Sequence, residues 1–227
     1  MGQLLRTALD WSEVWALLIP LSVLLFSQRQ YHPSLKPVII YIWLGFLINV
    51  GIDGIMAIRI YFHNDLLSNN PLYNIHSIVR FACFSFYFIR LQPNSFSKIK
   101  KALTVFSLIF MIVNFLFFEK FFNYDSFSGN LLATEAYLLL VYCMLYYLTE
   151  LKSDRDDLFN TPHFWVVTGL SIYVVTNFFV FLFYLPMINI DEDLAVNIWN
   201  VHNIAFIIFC LFITKAIYGS FRYNFTN

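Results

Sequence analysis

The sequence predicts an all-α, polytopic membrane protein with seven transmembrane helices, on three observations. Of its 227 residues, 59% are hydrophobic and 20% aromatic, while only 12% are charged, about half the charged share of an ordinary soluble domain. Apolar runs recur at a length that suits a bilayer core of about 30 Å, which takes about 20 helical residues. These runs lack the alternation of strands, so helices that satisfy their own backbones, rather than a closed barrel, must cross the lipid.

In chain order the spans fall at 11–28, 37–61, 72–91, 99–118, 130–150, 162–185 and 195–218. The first carries Glu13 near its start; no basic leader with a small-residue cleavage site precedes it, so no removable signal peptide is expected. Pro37, Pro71 and Pro162 sit where first-turn prolines belong, with Ser34, Asn70 and Thr161 as candidate caps, and Asn160-Thr161-Pro162 is the clearest helix start. Lys100 and Lys101, ahead of the fourth span's apolar run, read as a solvated or headgroup-facing cluster. Cys83, Cys143 and Cys210 lie inside apolar runs without CxxC spacing and read as buried thiols, with neither a disulfide nor a zinc site. The whole chain, 1–227, reads as one transmembrane domain.

The 14 Lys and Arg balance the 14 Asp and Glu, so no basic field exists to attract nucleic acid, and the lipid bilayer is the expected partner. Arg29, Lys36, Arg90, Lys98, Lys100, Lys101, Lys152, Arg155, Lys215 and Arg222 fall on one side of the membrane. Arg6, Lys120 and the acidic Asp191-Glu192-Asp193 loop fall on the other, which predicts an outward amino terminus and a cytoplasmic carboxyl terminus. All connections are short, so no cytoplasmic catalytic or nucleotide-binding domain is expected.

Three pieces recur in order. Ser12-Glu13-Val14-Trp15 matches Thr134-Glu135-Ala136-Tyr137 at an offset of 122; Tyr41, Gly45, Ile48, Val50 and Asp53 match Trp165, Gly169, Ile172, Val174 and Asn177 at 124. Tyr73-Asn74-Ile75-His76 matches Trp199-Asn200-Val201-His202 at 126. The alternatives are coincidence among aromatic helices and a duplication, in which a three-helix repeat (11–91) is joined through a linker helix (99–118) to a parallel second one (130–218). The ordered Glu, Asn and His matches favour duplication.

Ionisable groups are costly in a bilayer, at roughly 2.5–3.5 kcal/mol each at the helix centre, so their placement is informative. Glu13, Asp53, Arg59, His76, Arg80, Asn114, Glu135, Asn177, Asn200, His202 and Asn203 all fall in the outward half or near the middle of their spans, while the inward half reads as almost purely apolar. This one-sided set predicts a water-accessible cup opening outward, binding a small-molecule ligand. The candidate ligand-binding residues are Glu13, Asp53, Arg59, His76, Arg80, Glu135, Asn177, Asn200, His202 and Asn203. Arg59 and Arg80 have Phe183 and Phe206 as their repeat counterparts, so the cup would be cationic on one side and suit an anionic or zwitterionic ligand. Plainer readings stand beside these: Glu13 as a first-turn carboxylate, the histidines as interhelical hydrogen bonders, and Asp53 with Arg59 or Arg80 as a structural ion pair.

No catalytic residue is predicted, because Walker, GxSxG and dinucleotide-loop motifs are all missing. No cofactor is expected either: Glu13, His76, Glu135 and His202 are weak candidates for a metal ion, with no HxxxH or HExxH pair among them. Lys215 lies too close to the cytoplasmic end to hold retinal.

The three-plus-one-plus-three arrangement resembles the SWEET and PQ-loop transporters and, more loosely, the seven-helix receptors and rhodopsins; the Pro-Gln dipeptide of the PQ-loop group is not present. Pro162-His163-Phe164-Trp165 with Gly169 and Tyr173, together with Trp199-Asn200-Val201-His202-Asn203-Ile204, resembles small seven-helix membrane proteins common in Bacteroidetes, often found beside histidine-kinase genes. That resemblance implies a bacterial inner (cytoplasmic) membrane location and a sensory role with a separate cytoplasmic partner such as a histidine kinase. The leading expectation is therefore a receptor-like sensor. A SWEET-like solute transporter, proton-coupled through these carboxylates or histidines, is the alternative, followed by an intramembrane metal-dependent enzyme.

Overall fold

The computed structural model describes residues 7–27, 31–63, 68–123, 126–153, 158–188 and 190–223, and among these every regular element is helical. After a helical turn at 7–10, the helices are α1 (Ser12–Phe26), α2 (Lys36–Phe62), α3 (Asn70–Leu91), α4 (Ser97–Val113), α5 (Gly129–Glu150), α6 (Pro162–Ile188) and α7 (Glu192–Tyr223). Six helical stretches are long and apolar enough to cross a membrane: Pro33–Phe62, Asn70–Leu91, Ser97–Phe118, Gly129–Glu150, Pro162–Tyr184 and Asp193–Phe221. They mark the chain as an integral membrane protein; α1 is apolar but has 15 residues. Of the basic residues counted for orientation, Arg6, Arg29 and Arg155 lie outside the described residues, as does the side chain of Arg222.

Local chemistry sets the helix ends. Thr161 Oγ1 accepts from Phe164 N at 3.3 Å and Pro162 opens α6, as the sequence predicts. Ser128 Oγ accepts from Leu131 N to cap α5, and Asp191 Oδ1 accepts from Leu194 N to cap α7. Helix α4 ends in a π-helical turn, Asn114–Phe118, closed by Glu119 N donating to Asn114 O. Glu119 accepts from Asn114 and Ser128 and so ties this turn to the start of α5.

The helices pack in a ring. Helix α2 lies between α1 and α3, α3 packs on α5, α6 lies between α5 and α7, and α7 closes against α1. Helix α4 sits outside, against α3 and α5, with an apolar outer face that includes Phe106, Ile109 and Ile112. The centre is an aromatic layer. Tyr173 stacks on Phe209 with centroids 5.1 Å apart, Phe84 packs on both Phe209 and Tyr41, and Tyr87 packs on Phe84.

Two details depart from expectation or set the packing. Lys100 is not solvated: it is 1% exposed, and its Nζ donates to the carbonyls of Phe88 at 3.1 Å and Gln92 at 2.9 Å. It thereby satisfies acceptors that the end of α3 leaves unpaired, which is what draws a cation inward. Lys101 is exposed. Gly169 marks the close approach of α6 and α7, since a Cβ there would sit 2.5 Å from Phe212 Cβ. Gly169→Ala is accordingly expected to lower the unfolding free energy by about 1–3 kcal/mol through overpacking. Gly219→Ala, with nothing within 4 Å of an added Cβ, should instead be neutral or stabilising by up to about 1 kcal/mol; equilibrium unfolding in mixed micelles reads both.

Candidate functional site

The buried polar side chains that the sequence singles out gather at the end of the bundle where α1 begins. Two glutamates organise them, each joining helices that are distant in sequence.

The first centre is Glu135 on α5, 2% exposed. Arg80, four residues along α3 from His76, donates through Nε to Oε1 at 2.6 Å and through Nη2 to Oε2 at 2.5 Å, and Ser77 Oγ adds a third donor at 2.7 Å. The remaining Arg80 arm, Nη1, donates to Tyr173 OH of α6 at 2.6 Å. The guanidinium carbon lies 5.1 Å from the centre of the Tyr173 ring. A bidentate pair with its spare donors and acceptors occupied is the form in which a buried ion pair is tolerated.

The second centre is Glu13 on α1. Its Oε1 faces His202 Nε2 of α7 at 2.6 Å, and His202 Nδ1 faces Asn177 Oδ1 of α6 at 2.6 Å. Asn49 of α2 donates through Nδ2 to the Glu13 carbonyl at 3.0 Å. His202 is held in place by Trp199, Phe181 and Tyr173, with ring centroids 4.9, 5.5 and 5.8 Å away.

On the residues of this second centre, and on those beside them in the chain or one turn away, several buried polar atoms have no hydrogen-bond partner among the described residues. They are Ser12 Oγ, Asn49 Oδ1, Asp53 Oδ2, Asn177 Nδ2 and both amide atoms of Asn203. Buried polar groups are satisfied in the great majority of cases, so these unpaired atoms set the second centre apart from the first, whose carboxylate is fully served.

Of the ten sequence-predicted residues, the structure brings Glu13, Asn177 and His202 into one network and Arg80 and Glu135 into another. His76 joins neither carboxylate. It stacks on Tyr41, with centroids 5.9 Å apart, and its Nε2 lies 3.5 Å from Tyr41 OH. Asn203 is buried beside His202, Asp53 is half-buried, and Arg59 and Asn200 are half-buried and make none of these bonds. Arg80 is committed to Glu135 and is not the partner of Asp53. The four weak metal candidates are split between the two centres and Tyr41, and among the described residues no group of three His, Cys, Asp or Glu is placed to hold a metal ion.

Two expectations are corrected. Most of the cup is closed: Glu13 is 6% exposed, and Arg80, His76, Glu135, Asn177, His202 and Asn203 are less so, with aromatic rings packed on His76, Arg80 and His202, while Asp53, Arg59 and Asn200 are half-buried. The opposite end is not purely apolar either. A cavity of about 390 Å³ there is lined by His32, Ser34, Arg90, Gln92, Glu150 and His163, among others. Ser34 Oγ bridges His32 Nδ1 at 2.5 Å and His163 Nε2 at 3.1 Å, and His163 Nδ1 meets Tyr87 OH at 3.0 Å. These residues sit at helix termini and connections, which a span-by-span count of polar residues leaves out.

Sequence reasoning also misses Asn49 and Ser77, and it names Ser12, Tyr41 and Tyr173 in the repeat or the resemblance without assigning them to the site. For Ser77 and Asn49 a signal exists, since Ser77 precedes Arg80 by three and Asn49 precedes Asp53 by four, placing each pair on one helix face. The tyrosine hydroxyls carry no such mark among 14 tyrosines.

Replacing His202 by Phe keeps the ring among its aromatic neighbours but strands Glu13 and Asn177. Thermal or denaturant unfolding should show a loss of about 1–3 kcal/mol for each stranded group, larger for the carboxylate. Asn200→Ala, outside the network, should stay within about 0.5 kcal/mol of the parent.

No protein-family model matches the chain, and no match was found to a curated protein or to a solved structure.

Proposed function

We propose that this chain is a seven-helix membrane receptor that binds a small polar ligand in the buried network and signals to a separate cytoplasmic partner, such as a histidine kinase. The observation that carries the reading is the set of unpartnered, buried donors and acceptors around Glu13 and His202, at a point where α1, α2, α6 and α7 converge. A ligand that completes these bonds binds one arrangement of the four helices better than another, and that differential affinity is what shifts a two-state bundle. In this reading α1 is the seventh span, extended to membrane length by the turn before it. The end of the bundle that holds the network faces outward, as the distribution of basic residues indicates.

Duplication belongs to the same proposal. Contacts of α1 with α7 and of α3 with α5 exchange under a twofold that swaps the two repeats, and so do the contacts within each repeat. Tyr73 and Trp199, matched at offset 126, meet edge to face with centroids 5.8 Å apart, as residues beside such an axis would. The matched glutamates each reach the last helix of the other repeat, Glu13 to His202 and Glu135 to Arg80.

One observation favours the transporter as a second reading: the polar cavity at the far end supplies half of an inward route. In that case the aromatic layer of Tyr41, Phe84, Tyr173 and Phe209 is the barrier between the two polar ends, and the two repeats rock about it.

The test compares the native chain with His202→Ala at equal membrane abundance. The receptor reading predicts that the variant reproduces the transcriptional response of a deletion strain, while proteoliposomes of the native protein accumulate none of a panel of labelled amino acids, sugars and amines. Accumulation that His202→Ala abolishes would overturn the receptor in favour of the transporter.

A further inference from the structure

The two glutamates differ in what neutralises them. Glu135 has a resident cation, Arg80, bound through two arms. Among the described residues the Glu13 carboxylate is met only by the imidazole of His202, and at offset 126 the place of Arg80 is taken by Phe206. A second carboxylate lies close by: Asp53 follows by one helical turn Asn49, whose Nδ2 donates to the Glu13 carbonyl. Its Oδ2 is buried without a hydrogen bond, and no described Lys, Arg or His is within ion-pair distance of it.

Two further oxygens complete the picture. Asn49 and Ser12 are fully buried, and their Oδ1 and Oγ atoms are unpartnered. Asn49 is placed by its own bond to the Glu13 carbonyl, Ser12 adjoins Glu13 in the first turn of α1, and Asp53 follows Asn49 by one turn on the same face of α2. The amide oxygen of Asn49 can only accept, and so can Asp53 when it is ionised. An anion, a carbonyl or a second acceptor would leave them as they are, and two carboxylates served by a single imidazole disfavour added negative charge.

From these observations the geometry points to a site for a small monocation between α1 and α2, formed by Glu13, Asn49, Asp53 and Ser12. The occupant is an alkali-metal ion or the ammonium head of an organic amine, since hard oxygen donors suit both and the set contains no sulfur or nitrogen ligand for a softer metal. The bound cation does for Glu13 and Asp53 what Arg80 does for Glu135. This inference rests on the reading of the network as a ligand site and adds the charge of what that site takes.

The experiment uses the full chain in lipid nanodiscs. Thermal unfolding is followed by tryptophan fluorescence, which Trp11 and Trp15 beside the site report, in sodium, potassium or methylammonium chloride balanced with choline chloride at constant ionic strength. A saturable rise of the midpoint by roughly 3 °C or more over choline alone is expected. A rise with sodium or potassium identifies an ion site, and a rise confined to methylammonium identifies an amine site. Asp53→Asn and Asn49→Leu should each lose that increment. Equilibrium dialysis of the native chain against radiolabelled sodium and methylamine needs no variant and should give saturable binding. Equal midpoints in every salt together with no saturable binding would overturn the cation site. That outcome leaves the receptor reading to its own test, because the His202→Ala comparison is read from transcription and uptake.

Discussion

A charge placed inside a bilayer-embedded bundle must meet its opposite there, and the pairing of Arg80 with Glu135 is the constraint on which the rest of this structure depends. An uncompensated buried charge costs several kcal/mol, so α3 and α5 are held at the distance that lets two guanidinium nitrogens reach two carboxylate oxygens. The third arm of Arg80 then recruits Tyr173, which fixes α6 beside them. Once Tyr173 is fixed, its ring stacks on Phe209 and touches His202, and the position of α7 follows. Closure of the ring through His202 and Glu13 is the last link, and the one with unfilled hydrogen-bonding capacity.

The aromatic layer gives that polar end its character. Tyr41 and Tyr173 turn their hydroxyls toward His76 and Arg80, whereas Tyr87 turns its hydroxyl the other way, toward His163. Apolar rings between these hydroxyls keep the two polar regions separate and the effective dielectric low. Each hydrogen bond inside is therefore stronger, and each missing one costs more. A ligand that supplied the missing partners would gain from that same environment, which is why the unpartnered atoms, rather than the paired ones, direct the functional reading.

Much of the fold was legible because bilayer physics writes it in runs of apolar residues. The expected spans at 37–61, 130–150 and 162–185 correspond to helices Lys36–Phe62, Gly129–Glu150 and Pro162–Ile188, and Thr161 with Pro162 starts its helix as capping rules require. Glu13, His202 and Asn177 were legible as costly intramembrane groups, though not as mutual partners, since their positions span most of the chain. Symmetry reasoning suggests His76 as the partner of Glu135 by analogy with His202 and Glu13. Arg80, longer and one turn away, presents two donors that match the carboxylate and takes Glu135, and His76 stacks on Tyr41 instead. Lys100 departs from the expectation that a lysine at a span end is solvated, because the open carbonyls at the end of α3 offer a nearer place for its ammonium. The far-end cavity was illegible for a different reason: His32, Gln92 and Glu150 come from three connections and helix ends that only the folded chain brings together.

The account stands most directly on the coupling between Arg80 and Glu135, which a double-mutant cycle measures in unfolding experiments in mixed micelles. Arg80→Met and Glu135→Leu should each lose about 3–5 kcal/mol by stranding a buried charge, and the double variant should recover most of that loss, giving a coupling of about 3 kcal/mol or more. Losses that add to within about 0.5 kcal/mol would contradict the account, because they would mean that the two side chains do not hold α3 and α5 together.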